Sequence, residues 1–233
     1  SRTFKQWLKG VCKKPRYKSK KSLRNSYTSH TTNNNIRIEE DFIVIPKVGK
    51  VKLSKTRRKL ARDTVIKAIT VSKSAIGKYY VSLRLELEQE TKVRNNDMIK
   101  SIGLDFSMTH FYVDNEGKKA NFPCYIRETV NKIKKIDQKM SRQKKDGKGR
   151  EKTRIKRAKL YEKMANQKKD FHHKLSRRLA KENDVITVET LSLKEMDEYK
   201  TDKRKVQLYG FHQFLTFLEY KCREEGSLFH KVD

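Results

Sequence analysis

The sequence predicts a mixed α/β chain (α+β and α/β parts in succession): a small β-barrel, then a sheet interrupted by a long basic helical hairpin. Three observations predict it. Short β-prone runs crowd residues 36–87. Apolar side chains recur every three or four positions from 126 to 182. Apolar strands ending in a carboxylate stand on either side of that helical stretch, at Asp105 and Glu189. The barrel is expected over residues 1–97 and the sheet over 98–233, with the polar, unpatterned run 88–98 between them.

Composition narrows the partner. The 233 residues carry 58 Lys and Arg against 28 Asp and Glu, a net charge of +30, and only 35% are hydrophobic. A surface this cationic repels itself unless a polyanion neutralises it. Each Lys or Arg that meets a phosphate releases a condensed counterion, so nucleic acid is the expected partner. Charge alone does not separate a nuclease from a structural RNA-binding protein. No apolar run approaches the roughly 18 residues of a membrane span, and no signal peptide is visible, so the expected compartment is the cytoplasm. Cys12, Cys124 and Cys222 lie far apart, form no C-x-x-C pair and offer no zinc spacing. The chain opens on Ser1 without a Met and closes on Asp233 straight after an apolar stretch. It reads as the retained part of a longer protein, cut at both ends.

In the first part, Phe4, Trp7, Leu8 and Val11 suggest a short amphipathic helix that Gly10 stops. A basic loop follows, with Lys13, Lys14, Arg16, Lys18, Lys20 and Lys21 around Tyr17. Cations there can grip phosphates while the aromatic ring stacks on a base; a solvated basic loop is the plainer alternative. Strands are expected at Ile36–Ile38, Phe42–Ile45, Lys50–Leu53, Val65–Val71 and Tyr79–Leu87. In the last, Tyr79, Val81, Leu83, Leu85 and Leu87 share one face, as in a half-buried strand. Strands this short and this closely spaced suggest a barrel.

The second part opens on Ser101–Asp114, two strands joined by a tight turn, with a third near Lys118–Pro123. Residues 126–182 are helical, broken at Asp146-Gly-Lys-Gly149 into a hairpin. Its tip and outer face carry Arg142, Lys144, Lys145, Lys148, Arg150, Arg154 and Arg157, the expected polyanion-binding residues. Asp184–Glu189 is a strand, Phe211, Phe214, Leu215 and Leu218 mark a last helix, and Leu228–Asp233 a final strand. Strand–strand–strand–helix–strand–helix–strand is the order of an RNase H-like sheet.

Asp105 and Glu189 are the candidate catalytic and metal-binding residues. Two-metal phosphoryl transfer needs carboxylates that hold divalent ions about 3.5–4 Å apart. Mg²⁺ takes hard oxygen ligands and keeps several waters, so two or three acids suffice. The plain alternative is an acid that faces water or caps a turn. His172 and His173, adjacent on a helix, face different ways and form no metal pair.

These residues also carry a family resemblance. Ile102-Gly-Leu-Asp-Phe-Ser-Met108 resembles the first RuvC motif of TnpB, the RNA-guided nuclease of bacterial insertion sequences. Met140-Ser-Arg142, then Lys159 to Ser176, resembles its central helices, and Val185-Ile-Thr-Val-Glu-Thr-Leu191 its second RuvC motif. Pro15–Lys21 and Ile43–Gly49 look like its wedge domain, an OB-like barrel. The resemblance implies an RNA-guided DNA endonuclease on the bacterial nucleoid, with guide RNA and double-stranded target DNA as partners. It implies a short target-adjacent motif, and Asp105 and Glu189 as Mg²⁺ ligands. Thr190 stands where the family often has an acid. The family's third catalytic Asp and its Zn²⁺ ribbon fall beyond the point where this chain stops. Early wedge strands and a helical insert are also missing upstream. A nuclease-inactive, RNA-guided repressor and a miniature type V CRISPR effector are the alternatives.

Overall fold

Alternation in the sequence becomes burial in the fold. In the computed structural model, the strand Tyr79–Glu86 exposes Ser82, Arg84 and Glu86 and half-buries Val81, Leu83 and Leu85. The structure describes residues 2–15, 25–39, 41–54, 64–86, 92, 94, 99–107, 109–189 and 207–232. The chain divides into two units, Ser1–Glu88 and Gln89–Asp233. Among the described residues no helix is long and apolar enough to cross a membrane.

The first unit begins with α1 (Arg2–Leu8), which ends at Gly10 in the left-handed conformation, φ 70°. Six strands follow: β1 (Asn25–His30), β2 (Arg37–Glu39), β3 (Phe42–Ile45), β4 (Gly49–Lys52), β5 (Val65–Lys73) and β6 (Tyr79–Glu86). The expected barrel does not form among the described residues. The strands make two open antiparallel sheets, β1-β5-β6 and β2-β3-β4. Strands of three or four residues build a small meander whose strands pair only with one another and with neither edge of the longer sheet among the described residues. The core is four isoleucines, Ile36, Ile43, Ile45 and Ile69, with Val71, Val81 and Leu83 packed against them. β1 has no apolar alternation and escapes a pattern search. It pairs with β5 through its backbone and a Thr28–Thr70 hydroxyl contact of 2.8 Å.

The second unit is a five-stranded sheet in the order β11-β10-β7-β8-β9. Its strands are β7 (Ser101–Phe106), β8 (Tyr112–Asp114), β9 (Lys119–Ala120), β10 (Val185–Glu189) and β11 (Leu228–Val232). β7, β8 and β9 form an antiparallel meander. β10 and β11 run parallel to β7, which demands crossovers. The hairpin α2 (Cys124–Ser141) and α3 (Lys148–Glu182) makes the first, and α4 (Phe211–Glu225) lies in the second. The helices meet one face of the sheet around Leu104, Ile186 and Val188. Phe111, fully buried, sits among the rings of Phe106, Phe122, Phe171, Tyr209, Phe211 and Phe214. Between Thr153 and His172 α3 has no buried residue, though Met164 and Phe171 pack against this core from partly buried positions.

Arg94 ties the ends of the helices together. Its guanidinium donates to the carbonyls of Ala180 (2.6 Å), Asn183 (2.8 Å) and Glu225 (2.9 Å), and meets the Asp184 carboxylate at 3.2 Å. It thus satisfies carbonyls that α3 and α4 leave open at their C-termini, where a cation is favoured. Gly226 adopts φ 75° after α4, and a Cβ there would lie 2.1 Å from the Lys92 carbonyl oxygen. Lys221, 3% exposed, ties α4 to α3 by donating to the His173 carbonyl at 2.5 Å and the Ser176 hydroxyl at 2.8 Å.

His172 is fully buried against Phe111, Phe171 and Phe214, with Nε2 2.9 Å from the Tyr209 carbonyl. Burial pushes its pKa down to about 4, and the nearby Lys168 ammonium pushes the same way. The unfolded chain takes up this proton near pH 6.5, before the folded one does, so stability falls as pH drops from about 6.5 to 4.

Two outcomes follow. Arg94→Ala and Gly226→Ala should each destabilise the second unit by about 2–4 kcal/mol in urea unfolding, the first by orphaning carbonyls and the second by collision. Titration of His172 should remove up to about 3 kcal/mol between pH 6.5 and 4. His172→Phe should flatten that slope, measured by melting across the pH series.

Candidate functional site

The register of two parallel strands brings the candidate acids together. β7 pairs with β10 as Ser101 with Val185, Ile102 with Ile186, Gly103 with Thr187 and Leu104 with Val188. One residue further along each strand stand Asp105 and Glu189. Neighbouring strands are about 4.8 Å apart, and residues at matching positions share a face. Leu104 and Val188 point into the core, so Asp105 and Glu189 point to the opposite face, where both are exposed.

The backbone under Asp105 is held from both sides. Leu104 is 3% exposed, and the Phe106 ring lies 5.0 Å from Phe211 and 6.0 Å from Phe214. After it, the Ser107 hydroxyl accepts the Thr109 amide at 3.2 Å and closes the turn toward β8. Two residues before it, the Gly103 amide donates to the Asn115 side chain at 3.0 Å. Val188, 1% exposed, anchors Glu189 from one side; Thr190 lies outside the described residues.

Two polar residues set this register, and pattern reading did not find them. The Asp184 carboxylate accepts the Lys100 amide at 2.9 Å and meets Arg94 at 3.2 Å. The Asp184 amide donates to the Lys100 carbonyl at 2.8 Å. No periodicity marks either residue; the one signal was an acid just ahead of an apolar strand.

Two carboxylates side by side on an exposed sheet face are hard oxygen donors of the kind Mg²⁺ takes. Among the described residues no cluster of three or more His, Cys, Asp or Glu gathers. The described chain therefore offers a two-carboxylate set.

The hairpin supplies the charge. Residues 124–182 hold 22 Lys and Arg against seven acids. The expected binding residues there fall into two groups. Arg150 caps the hairpin turn, donating to the Met140 carbonyl at 2.5 Å and the Gln143 carbonyl at 3.2 Å. Arg154 grips Glu151 with two bonds of 2.6 and 2.7 Å, and Arg157 pairs with Asp137 across the hairpin. By contrast Arg142, Lys144, Lys145 and Lys148 at the tip are exposed and carry no ion pair among the described residues. In the first unit, Lys13 and Lys14 follow α1, with the Lys14 ammonium 5.7 Å from the Trp7 ring centroid. Arg16, Tyr17, Lys18, Lys20 and Lys21 lie outside the described residues.

Comparison with known proteins gives this arrangement a family. The OrfB_IS605 model, described as "Probable transposase", matches residues 82–200, about half of the chain. The chain belongs to the OrfB_IS605 family. The TnpB resemblance carried by its RuvC-like motifs and central helices is upheld. The chain is 27% identical over 221 residues to a Streptomyces pristinaespiralis protein provisionally named RNA-guided DNA endonuclease, covering 95% of this chain and 54% of that one. It is 24% identical over 197 residues to InsQ of Escherichia coli (strain K12), provisionally given the same activity, covering 84% and 47%. This OrfB_IS605 chain spans about half the length of the curated relatives it matches. Its fold is similar to a chain in the cryo-EM structure of the Cas12f1–sgRNA–target DNA complex. The TM-score is 0.50 at 15% identity, over 73% of this chain and 36% of that one. At that identity the likeness is one of fold.

The two groups of hairpin cations should separate by stability. Arg150→Ala should cost about 1–3 kcal/mol, because it leaves turn carbonyls unsatisfied. A combined Lys144→Gln, Lys145→Gln, Lys148→Gln variant should stay within about 0.5 kcal/mol of the parent in denaturant melts.

Proposed function

We propose that this chain is part of an RNA-guided DNA endonuclease, in which the five-stranded sheet is a RuvC-type nuclease unit and Asp105 and Glu189 hold Mg²⁺ at the scissile phosphodiester. The observation that carries this reading is the β7–β10 register, which sets two exposed carboxylates side by side in a chain of net charge +30. Membership of the OrfB_IS605 family and two relatives provisionally named for that activity support it. Bound there, Mg²⁺ would activate water and stabilise the leaving 3′ oxygen.

The chain's own residues have separate tasks in this reading. Asp105 and Glu189 supply fixed negative oxygen donors on a rigid sheet. Asp184 and Arg94 hold the two strands in the register that pairs them. The tip cations Arg142, Lys144, Lys145 and Lys148 bind phosphates of guide RNA or of the target DNA, and so do Lys13 and Lys14 with their basic loop. Arg150, Arg154 and Arg157 brace the hairpin that carries this charge. The first unit acts as the wedge that seats the guide.

The test is a cleavage assay on the protein copurified with its own RNA, with Mg²⁺ and a matched double-stranded target. Parent protein should cut, and Asp105→Ala and Glu189→Ala should each fall to background while still binding RNA. Cutting by either variant would remove that residue from the metal site. Guide-dependent binding without cutting by the parent would replace the nuclease with an RNA-guided repressor.

A further inference from the structure

Tyr161 stands out on the hairpin. It is an aromatic ring on a helix otherwise crowded with charge, and 39% of it is exposed. The Arg157 guanidinium lies over the ring, 4.8 Å from its centroid, with Nη2 3.4 Å from the Tyr161 hydroxyl. Arg157 is itself held by Asp137 of α2. The pairing keeps the guanidinium protonated, its pKa raised mainly by that hydrogen bond.

These contacts fix what the site is suited to bind. Asp137 already balances the Arg157 charge, so this arginine is a poor phosphate ligand. What remains is a partly exposed phenol ring, backed on one face by a guanidinium one turn earlier on α3. Exposed Lys156, Lys159 and Lys163 lie within a turn of it and attract a polyanion. Guanidinium and aromatic planes both stack on nucleobases, whatever the base, because every base has a π-face. A base inside a duplex is already stacked on its neighbours and has no free face to offer.

We propose that Tyr161, backed by Arg157 and Asp137, is a stacking platform for an unpaired base of a single-stranded nucleic acid. The inference rests on the reading that the hairpin binds nucleic acid. It adds that the hairpin meets a strand with its bases turned outward, a preference that the tip lysines alone cannot create. Arg157 is a positioning residue here: it holds the ring rather than a phosphate.

Fluorescence anisotropy on the full chain would test it with three probes of equal length. They are a single-stranded oligoadenylate, an abasic single strand with the same phosphates, and a blunt duplex. The parent should prefer oligoadenylate to the abasic strand. Tyr161→Ala should weaken oligoadenylate binding about tenfold and leave the abasic strand and the duplex unchanged. Tyr161→Trp should restore it, and melting curves would confirm that both variants fold. Equal weakening on all three probes would make Tyr161 a structural residue and overturn the platform, and so would no weakening on any. If the parent bound none of the probes, the nucleic-acid reading of the hairpin would itself fail, an outcome distinct from either.

Discussion

The Asp184 carboxylate meets the Lys100 amide and the Arg94 guanidinium at the point where α3 gives way to β10 and the chain enters β7. Parallel strands have no connecting turn to set their register, and a slip by one residue would send every side chain to the opposite face. In this sheet such a slip would bury one acid and strand the other. Asp184 holds the two strands at their shared start, and the buried pair Leu104 and Val188 holds them near their end. The juxtaposition of Asp105 and Glu189 follows from those restraints.

Arg94 extends the same control outward. It lies in a polar stretch before the sheet, yet its guanidinium binds the last carbonyls of both α3 and α4. Gly226 lies so near the Lys92 carbonyl that a Cβ there would meet its oxygen at 2.1 Å. The helices that cover one face of the sheet are therefore tied at their C-termini to the segment that leads into β7. The face bearing Asp105 and Glu189 does not share in that packing and keeps its acids exposed.

The hairpin divides its cations between those engaged in its own architecture and those left exposed at its tip. A 35-residue helix with no buried residue between Thr153 and His172 needs support of its own along that length. The Asp137–Arg157 pair, the Thr129–Gln167 hydrogen bond and the Arg150 cap supply it from α2 and the turn. Exposed ion pairs contribute little singly, so their worth here lies in fixing geometry. The tip lysines are exposed and have no such duty among the described residues, which is why the proposed function gives them the phosphates.

Sequence by itself determined most of the second unit. Helical periodicity from 126 to 182, the glycine-rich break and the apolar strands at 101, 185 and 228 are all in place, because burial against one core imposes those periods. It also singled out Asp105 and Glu189, since a strand that ends in an acid is a local pattern. Tertiary structure alone decided the rest. β1 pairs through backbone and hydroxyls, which leave no apolar trace. Among the described residues the first unit makes two sheets and no barrel, because closure depends on strand length and edge pairing across the whole unit. Arg150, Arg154 and Arg157 read as free charge until their acceptors, up to 20 residues away, came into contact. The pairing of Arg94 with Asp184 escapes local pattern for the same reason: a hydrogen bond between residues 90 positions apart leaves no period in the chain. Local patterns follow from the burial of each element, whereas register and the pairing of charges exist only once the elements have met.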